Sequence, residues 1–445
     1  MIQKYTISNF YSIREPLEVS FEASKEKHYN EDWIVKKGNF KLLKCLLLYG
    51  ANGSGKSNIL KSFNFLRSVI TKERREEDNL YGFNKFLLDQ ESTGKPTIFD
   101  LYFFIGDVRY HYYIEIGLDE IIKEELKIYK SGKNPTLIYS RKYNDQKSKN
   151  IVRFGTWLTL SNKDRKALED LTTNRNSVLA LYGNRNFHCI DLQIVYDYFK
   201  NNFYRVYDVE HSDNCVAKTL KDDISLQQLV VEMLRSFRSN IVGLDIQEKV
   251  EPLPEGMLQY INNMGFPEET KGEIMKLNGL PMLENSYVHQ TKLGTFQLRD
   301  IYQSEGTRKF IRFVVLFSKA IREGWLLAID EYGAGLQPKT QHLLLEYFLR
   351  FSEDSQLILA TQSIGLLDFK MLRRDAIHIV SKDELGMTHI DSRTVRGIHR
   401  NIKLRNAYND GKFLTMDPNE PDIDLFDVAD KFKKLIYKNR KEDSL

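Results

Sequence analysis

The chain has 445 residues, 42% hydrophobic and 28% charged, which allows one large core or two domains and is ordinary for a soluble globular protein. A net charge of +4 is the small remainder of 65 basic and 61 acidic residues, so global charge selects neither nucleic acid nor an acidic partner; only local clustering can. No run approaches the ~20 apolar residues that span a bilayer. The opening Met1-Ile-Gln-Lys-Tyr-Thr-Ile lacks a signal-peptide pattern, and Cys45, Cys189 and Cys215 form no CxxC or paired framework, so a reducing cytoplasm is the expected setting.

In chain order, Ile2, Tyr5, Ile7 and Phe10, then Leu17, Val19 and Phe21, fit two short strands turning through residues 12–16. Residues 22–41 are charged and read as loop. Cys45–Tyr49 is an apolar run of strand type, broken at Gly50 and followed after Lys56 by helical spacing at Ile59, Leu60, Phe63, Leu66 and Ile70. Between them stands Gly50-Ala51-Asn52-Gly53-Ser54-Gly55-Lys56-Ser57-Asn58. Its glycines permit positive φ and let backbone N–H groups turn inward, the helix start adds its positive end, Lys56 can reach the outer phosphates and Ser57 can ligate Mg²⁺. A strand, this loop and a helix in that order predict a nucleotide site. The charged stretch Thr71–Asp78 reads as solvated.

Thr97–Ile105, Tyr110–Gly117 and Ile121–Tyr129 read as a meander rich in Tyr and Phe, suited either to ordinary sheet packing or to a base-stacking platform. Residues 131–155 carry Lys133, Arg141, Lys142, Lys147, Lys149 and Arg153, as expected for a hairpin with a basic surface. Residues 160–278 read mainly as helix, for example Asp164–Thr172, Leu192–Asn202 and Ser225–Ser239, without sustained heptads, and Gly279–Leu298 returns to strand character. Trp325–Glu331 is then a buried-strand run ending in two carboxylates, with Asp330 suited to hold Mg²⁺ and Glu331 to orient and deprotonate an attacking water. Ser304-Glu305-Gly306 lies 26 residues before Asp330 and opens an apolar helix, Phe310–Ile321. A further helix from Lys339 leads to the strand Gln356–Ala360 and its polar end Thr361-Gln362-Ser363, placed to sense a γ-phosphate.

In order and spacing these motifs resemble the ABC-type ATPases of the SMC/RecF class, in particular the compact ATPases of prokaryotic anti-phage and abortive-infection loci (the AriA, RloA and PtuA type). The segment Ile7-Ser8-Asn9-Phe10-Tyr11-Ser12-Ile13 is similar to that family's N-terminal strand motif. The resemblance implies an α/β fold: an ABC-type P-loop NTPase head with an antiparallel β lobe and a mainly helical inserted domain. Four regions follow: the first half of the head with the phosphate loop and β lobe (1–155), a helical partner-binding insertion (156–280), the second half of the head (281–395) and a tail (396–445). It gives Lys56, Glu331 and Gln362 catalytic roles, Ser57 and Asp330 the Mg²⁺, and Gly50–Asn58 the ATP, with Ser304 and Gly306 completing the site of a second copy. It also implies head-to-head pairs that sandwich ATP, a separately encoded toxic effector of nuclease type, and a phage protein as trigger. Gln362 stands where many relatives carry a switch histidine; it can contact water or phosphate but cannot change charge near neutral pH. Gln337 likewise replaces a histidine, and Gln90 is a candidate for the lid glutamine or an ordinary loop residue.

After Thr361 there are 84 residues, too few for an appended nuclease domain, and the acids Asp417, Glu420, Asp422, Asp424, Asp427 and Asp430 read as a charged loop. Arg393, Arg396, His399, Arg400, Lys403 and Arg405 form a basic cluster, suited to phosphates, an acidic partner or plain solvation. The other readings are a RecF-like ATPase clamping DNA, a transporter motor, and a nucleotide-held scaffold that does not hydrolyse.

Overall fold

The computed structural model describes residues 1–25, 31–75, 84–118, 120–130, 134–144, 149–206, 213–252, 257, 271–272, 279–399, 401–410 and 412–413. In chain order the first strands are β1 (Ile2–Ser8), β2 (Leu17–Ser20), β3 (Ile34–Lys37), β4 (Phe40–Leu43) and β5 (Cys45–Tyr49), followed by helices α1 (Lys56–Thr71) and α2 (Gln90–Gly94). A meander follows: β6 (Thr97–Ile105), β7 (Val108–Ile116), β8 (Ile121–Tyr129), β9 (Thr136–Asn144) and β10 (Lys149–Phe154). Next come α3 (Asn162–Leu171), α4 (Val178–Asn184), α5 (Ile190–Asp197), β11 (Arg205–Val206), α6 (Asp213–Asp222) and α7 (Ile224–Ser236). The chain continues with β12 (Ile241–Pro252), β13 (Gly279–Thr291), β14 (Gly294–Arg299), α8 (Glu305–Glu323), β15 (Leu326–Ile329), α9 (Pro338–Phe351) and β16 (Gln356–Thr361). It closes with β17 (Ile377–Lys382), β18 (Thr388–Asp391), α10 (Arg393–Gly397) and α11 (Leu404–Asn409).

Two large sheets build the molecule, beside a three-stranded sheet β12-β13-β14 and the hairpin β3-β4. One has the order β11-β15-β16-β5-β17-β18, parallel from β11 through β17 with β18 antiparallel at the edge. Its central strands are buried at every position and apolar apart from Gln356 and Thr361 at the two ends of β16, as a sheet covered on both faces requires. The other is an antiparallel lobe, β10-β9-β8-β7-β6-β1-β2. Its strands alternate: Phe99, Leu101, Phe103, Tyr110, Tyr112 and Ile114 are buried, while Tyr102 stacks on His111 at 4.2 Å and lies under the Arg109 guanidinium at 4.7 Å. Sheet packing accounts for the aromatics. Gln356 of β16 joins the sheets, its amide accepting from Ile2 N and donating to Ile2 O (3.0 Å) and Leu43 O (3.1 Å).

The connecting region begins as expected, with Ser161, Ser177 and Asp223 capping α3, α4 and α7. Three details depart from the sequence expectation. Residues 34–43 form the hairpin β3–β4 instead of a loop, and Ile241–Pro252 is a strand paired along its length with β13 instead of helix. Arg141 does not face solvent: it is 1% exposed and donates to Asn150 Oδ1, Asn176 O and Thr173 O, fixing β9 to the chain beyond α3. Its buried counter-charge is Glu124, which accepts from Tyr112, Tyr139 and Val178 N; burial pushes the Glu124 carboxyl upward against these partners.

Candidate functional site

The strands β5, β15 and β16 run parallel, so their carboxyl ends deliver Gly50, Asp330 and Gln362 to one rim, where the crevice of an open α/β sheet lies. At Gly50 a Cβ would stand 2.2 Å from Val380 O, and at Gly55, with φ +108°, it would stand 2.1 Å from Thr388 Oγ1. Only glycine fits either position. Lys56 opens α1 and is 9% exposed, its Nζ donating to Gly50 O (2.7 Å) and Ala51 O (2.9 Å). Burial lowers its pKa while the nearby Asp330 and Glu331 carboxylates oppose that.

Ser57 Oγ donates to Asp330 Oδ2 at 2.6 Å, and the other Asp330 oxygen accepts from Glu331 N at 3.1 Å. This places two hard oxygen donors side by side beside the phosphate loop, a donor set that fits Mg²⁺. Glu331 itself has φ +54°, a left-handed conformation for a non-glycine residue. From β16, Gln362 Nε2 donates to Asn52 Oδ1 across the crevice. A cavity of about 520 Å³ lies among these groups, lined by Asn52, Lys56, Glu331, Thr361 and Gln362 among others.

Ser304 caps α8, its hydroxyl accepting from Thr307 N at 3.1 Å, and Gly306 lies in the first turn. Neither lines that cavity: within one chain the signature residues and the phosphate loop are not brought together. Gly306 instead abuts the loop after Glu331, where its Cβ would stand 3.2 Å from Gly335 O. Gln90 is exposed at the head of the short helix α2. In the basic cluster Arg393, Arg396 and Lys403 are exposed, Arg405 pairs with Asp368 at 2.5 Å, and Arg400 lies outside the described residues, as do the acids 417–430. Among the described residues no group of His, Cys, Asp and Glu has the geometry of a metal cluster.

Several residues that shape the site carry no spacing signal. Asn58 donates to Ser12 Oγ (2.6 Å), Ser12 shares a hydrogen bond with Thr388 Oγ1 (2.7 Å), and Thr388 donates to Ser54 O (3.2 Å). The phosphate loop is thus buttressed by hydroxyls from opposite ends of the chain. Ser12 lies within the N-terminal motif, yet nothing local pairs it with Thr388. Gln341 of α9, 3% exposed, is a second such residue.

A phosphate loop on a parallel strand and an acidic pair on a strand two positions away in the sheet define a P-loop NTPase. The chain belongs to the family described as "AAA domain, putative AbiEii toxin, Type IV TA system", which matches residues 45–368. A comparison with curated proteins finds no match. Among solved structures the chain is similar to the SMC head domain from Thermotoga maritima, with 13% identity and a TM-score of 0.41 over 88% of this chain and 98% of that one. It is also similar to the SmcHead bound to the C-winged helix domain of ScpA, with 14% identity and a TM-score of 0.39 over 88% and 96% of the two chains.

Proposed function

We propose that this chain binds and hydrolyses ATP as an ABC-type head, and that closure of two heads controls a separately encoded toxic effector in prokaryotic anti-phage defence. The observation that carries the ATPase reading is the meeting of Lys56, Ser57, Asp330 and Glu331 at one rim, joined by the 2.6 Å Ser57–Asp330 hydrogen bond. Lys56 would exchange the carbonyls of Gly50 and Ala51 for phosphate oxygens. Ser57 and Asp330 would hold Mg²⁺, which when bound neutralises charge on the phosphates. Glu331 would take a proton from the water whose oxygen bonds to the γ-phosphorus as the bond to the β-γ bridging oxygen breaks, leaving ADP and phosphate. Gln362, linked to Asn52, is suited to hold that water or the γ-phosphate.

The family's description, which names a putative toxin and a type IV toxin–antitoxin system, supports a place in a two-component toxic system. In this reading the region 156–280 binds the effector, a nuclease is its leading class, a phage protein is the trigger, and the protein works in the cytoplasm. Among the described residues no helix is long and apolar enough to cross a membrane. A RecF-like clamp on DNA is the second reading, favoured by the exposed Arg393, Arg396 and Lys403; it requires ATP-dependent DNA binding that weakens steeply with salt.

Phosphate release across a range of protein concentrations tests the first reading. The expected result is activity rising more than linearly with concentration and falling at least about a hundredfold in Lys56→Ala and Glu331→Gln. Glu331→Gln should still bind ATP. Tight ATP binding by the wild type without phosphate release, with DNA or partner present, would falsify hydrolysis and leave a nucleotide-held scaffold.

A further inference from the structure

The loop after Glu331 is held on two sides. On one side, Gln341 Nε2 donates to Gly333 O (3.1 Å) and Leu336 O (2.8 Å), while its Oε1 accepts from Ser363 Oγ (2.7 Å). Its backbone carbonyl accepts from Tyr332 OH at 2.9 Å. Tyr332 is tied to β16 again, since Thr361 Oγ1 donates to Tyr332 O (2.6 Å) and Tyr332 N donates to Ala360 O (2.9 Å). On the other side lies the first turn of α8: Lys309 Nζ reaches Ala334 O at 3.5 Å and the Gly335 carbonyl faces Gly306.

We propose that Gln341 is a positioning residue that locks the loop Tyr332–Leu336 to the end of β16, so that the state of one nucleotide crevice is transmitted to the signature turn of the same chain. The assignment rests on the paired-head ATPase reading, in which that signature turn serves the second copy's nucleotide. The chemistry is specific to an amide. Two carbonyls accept only, so they need the NH₂ group; a hydroxyl needs an acceptor on the opposite side; glutamine supplies both in one plane. Gly333, at φ +99°, leaves open the space that the amide occupies, since a Cβ there would stand 2.9 Å from Gln341 Cδ. Gln362 and Ser363 are neighbours, so a shift of Gln362 away from Asn52 displaces the hydroxyl that Gln341 holds.

The test compares Gln341→Met, Gln341→Glu, Ser363→Ala and the Gln341→Met/Ser363→Ala double variant, reading ADP affinity by calorimetry, turnover by phosphate release, and ATP-driven self-association by light scattering. Gln341→Met keeps the volume and loses the donors; turnover should fall about ten- to hundredfold while ADP affinity stays within about twofold. Gln341→Glu, which faces a carboxylate toward two carbonyls, should fall further. Ser363→Ala should lower turnover, and the double variant should be no worse than Gln341→Met alone, because both remove one linkage. The steep dependence of activity on protein concentration should flatten. If wild type binds ADP but releases no phosphate, hydrolysis fails as a reading, and the linkage is then read from ATP-driven association, which Gln341→Met should weaken about tenfold. Wild-type turnover or association in folded Gln341→Met, or losses that multiply in the double variant, overturns the role of Gln341.

Discussion

Glu331 holds a backbone conformation that non-glycine residues rarely adopt, at a cost on the order of 1–3 kcal/mol. The next residue shows what enforces it, because Tyr332 is bonded to β16 through its backbone N–H and carbonyl and to α9 through its hydroxyl. The acid is thereby turned toward the crevice by its neighbours and not by its own preference. Thr388 does comparable work for the phosphate loop. Its hydroxyl meets Ser12 Oγ and Ser54 O, and its side chain occupies the space a Cβ on Gly55 would need. Thr388→Val keeps that shape and removes the hydroxyl, so about 1 kcal/mol of loop ordering is lost and ADP affinity should fall roughly five- to tenfold. Thr388→Ser should stay within about twofold. Equal affinities for Thr388→Val and wild type in a calorimetric titration would remove the hydroxyl from the account.

Among the elements, β17 carries an acid-sensitive group next to the phosphate-loop strand. His378 sits opposite Leu48, is 3% exposed and has a buried Nδ1 with no hydrogen-bond partner among the described residues. Burial first, then the Arg396 charge, lowers its pKa to about 4 against the pull of Asp375 and Asp391. A histidine depressed in this way binds its proton more readily unfolded than folded. Stability is therefore full above about pH 6.5 and falls by on the order of 3 kcal/mol as the pH drops toward 4. Melting midpoints of wild type should decline through that window, and those of His378→Leu should decline less steeply; parallel acid limbs would exclude His378 as the cause. At this same scale the sequence is legible where periodicity is local. Cys45–Tyr49 and the first helix were readable because a buried parallel strand is apolar throughout and α1 buries Ile59, Leu60, Phe63, Leu66 and Ile70 on one side. Ile241–Pro252 was not, because Ile241 and Leu244 stand three residues apart and Ile246 and Val250 four, intervals that also suit a helix, and the partner strand lies beyond residue 278. The β3–β4 hairpin escaped for a related reason: it is short and charged, with Lys37, Leu42 and Leu43 its buried residues.

On the scale of the whole molecule, a single apolar cluster runs from Ile2 and Phe99 of the antiparallel lobe through Leu46–Leu48 and Phe310–Phe317 to Ile377–Val380. Trp33 is buried within it, with Trp157 and Trp325 packed against it. Continuity of this kind predicts one cooperative transition, with tryptophan fluorescence and far-ultraviolet dichroism changing together in denaturant. Saturating ADP should raise the unfolding free energy by about 2.7 kcal/mol at a hundredfold excess over its Kd, and Lys56→Ala should abolish that gain. Two separated transitions would show that the lobes fold as independent units. The candidate site divides along the same line as the elements. Its phosphate loop and acidic pair are contiguous motifs and legible, whereas Ser12, Thr388 and Gln341 act through partners that only the closed fold brings near.

The order of strands in the parallel sheet also bears on how the protein is made. Leu47 finds its neighbours at Leu359 and Ile377, more than three hundred residues later in the chain. At a synthesis rate of about 5–20 residues per second, the phosphate-loop strand emerges from the ribosome at least about fifteen seconds before those partners exist. During that interval Cys-Leu-Leu-Leu-Tyr has nothing in this sheet to cover it. The crevice is complete only when β16, whose end carries Gln362, has been made. Newly made chains therefore expose this apolar strand until synthesis reaches β16 and β17, a natural load for chaperones that shield such segments.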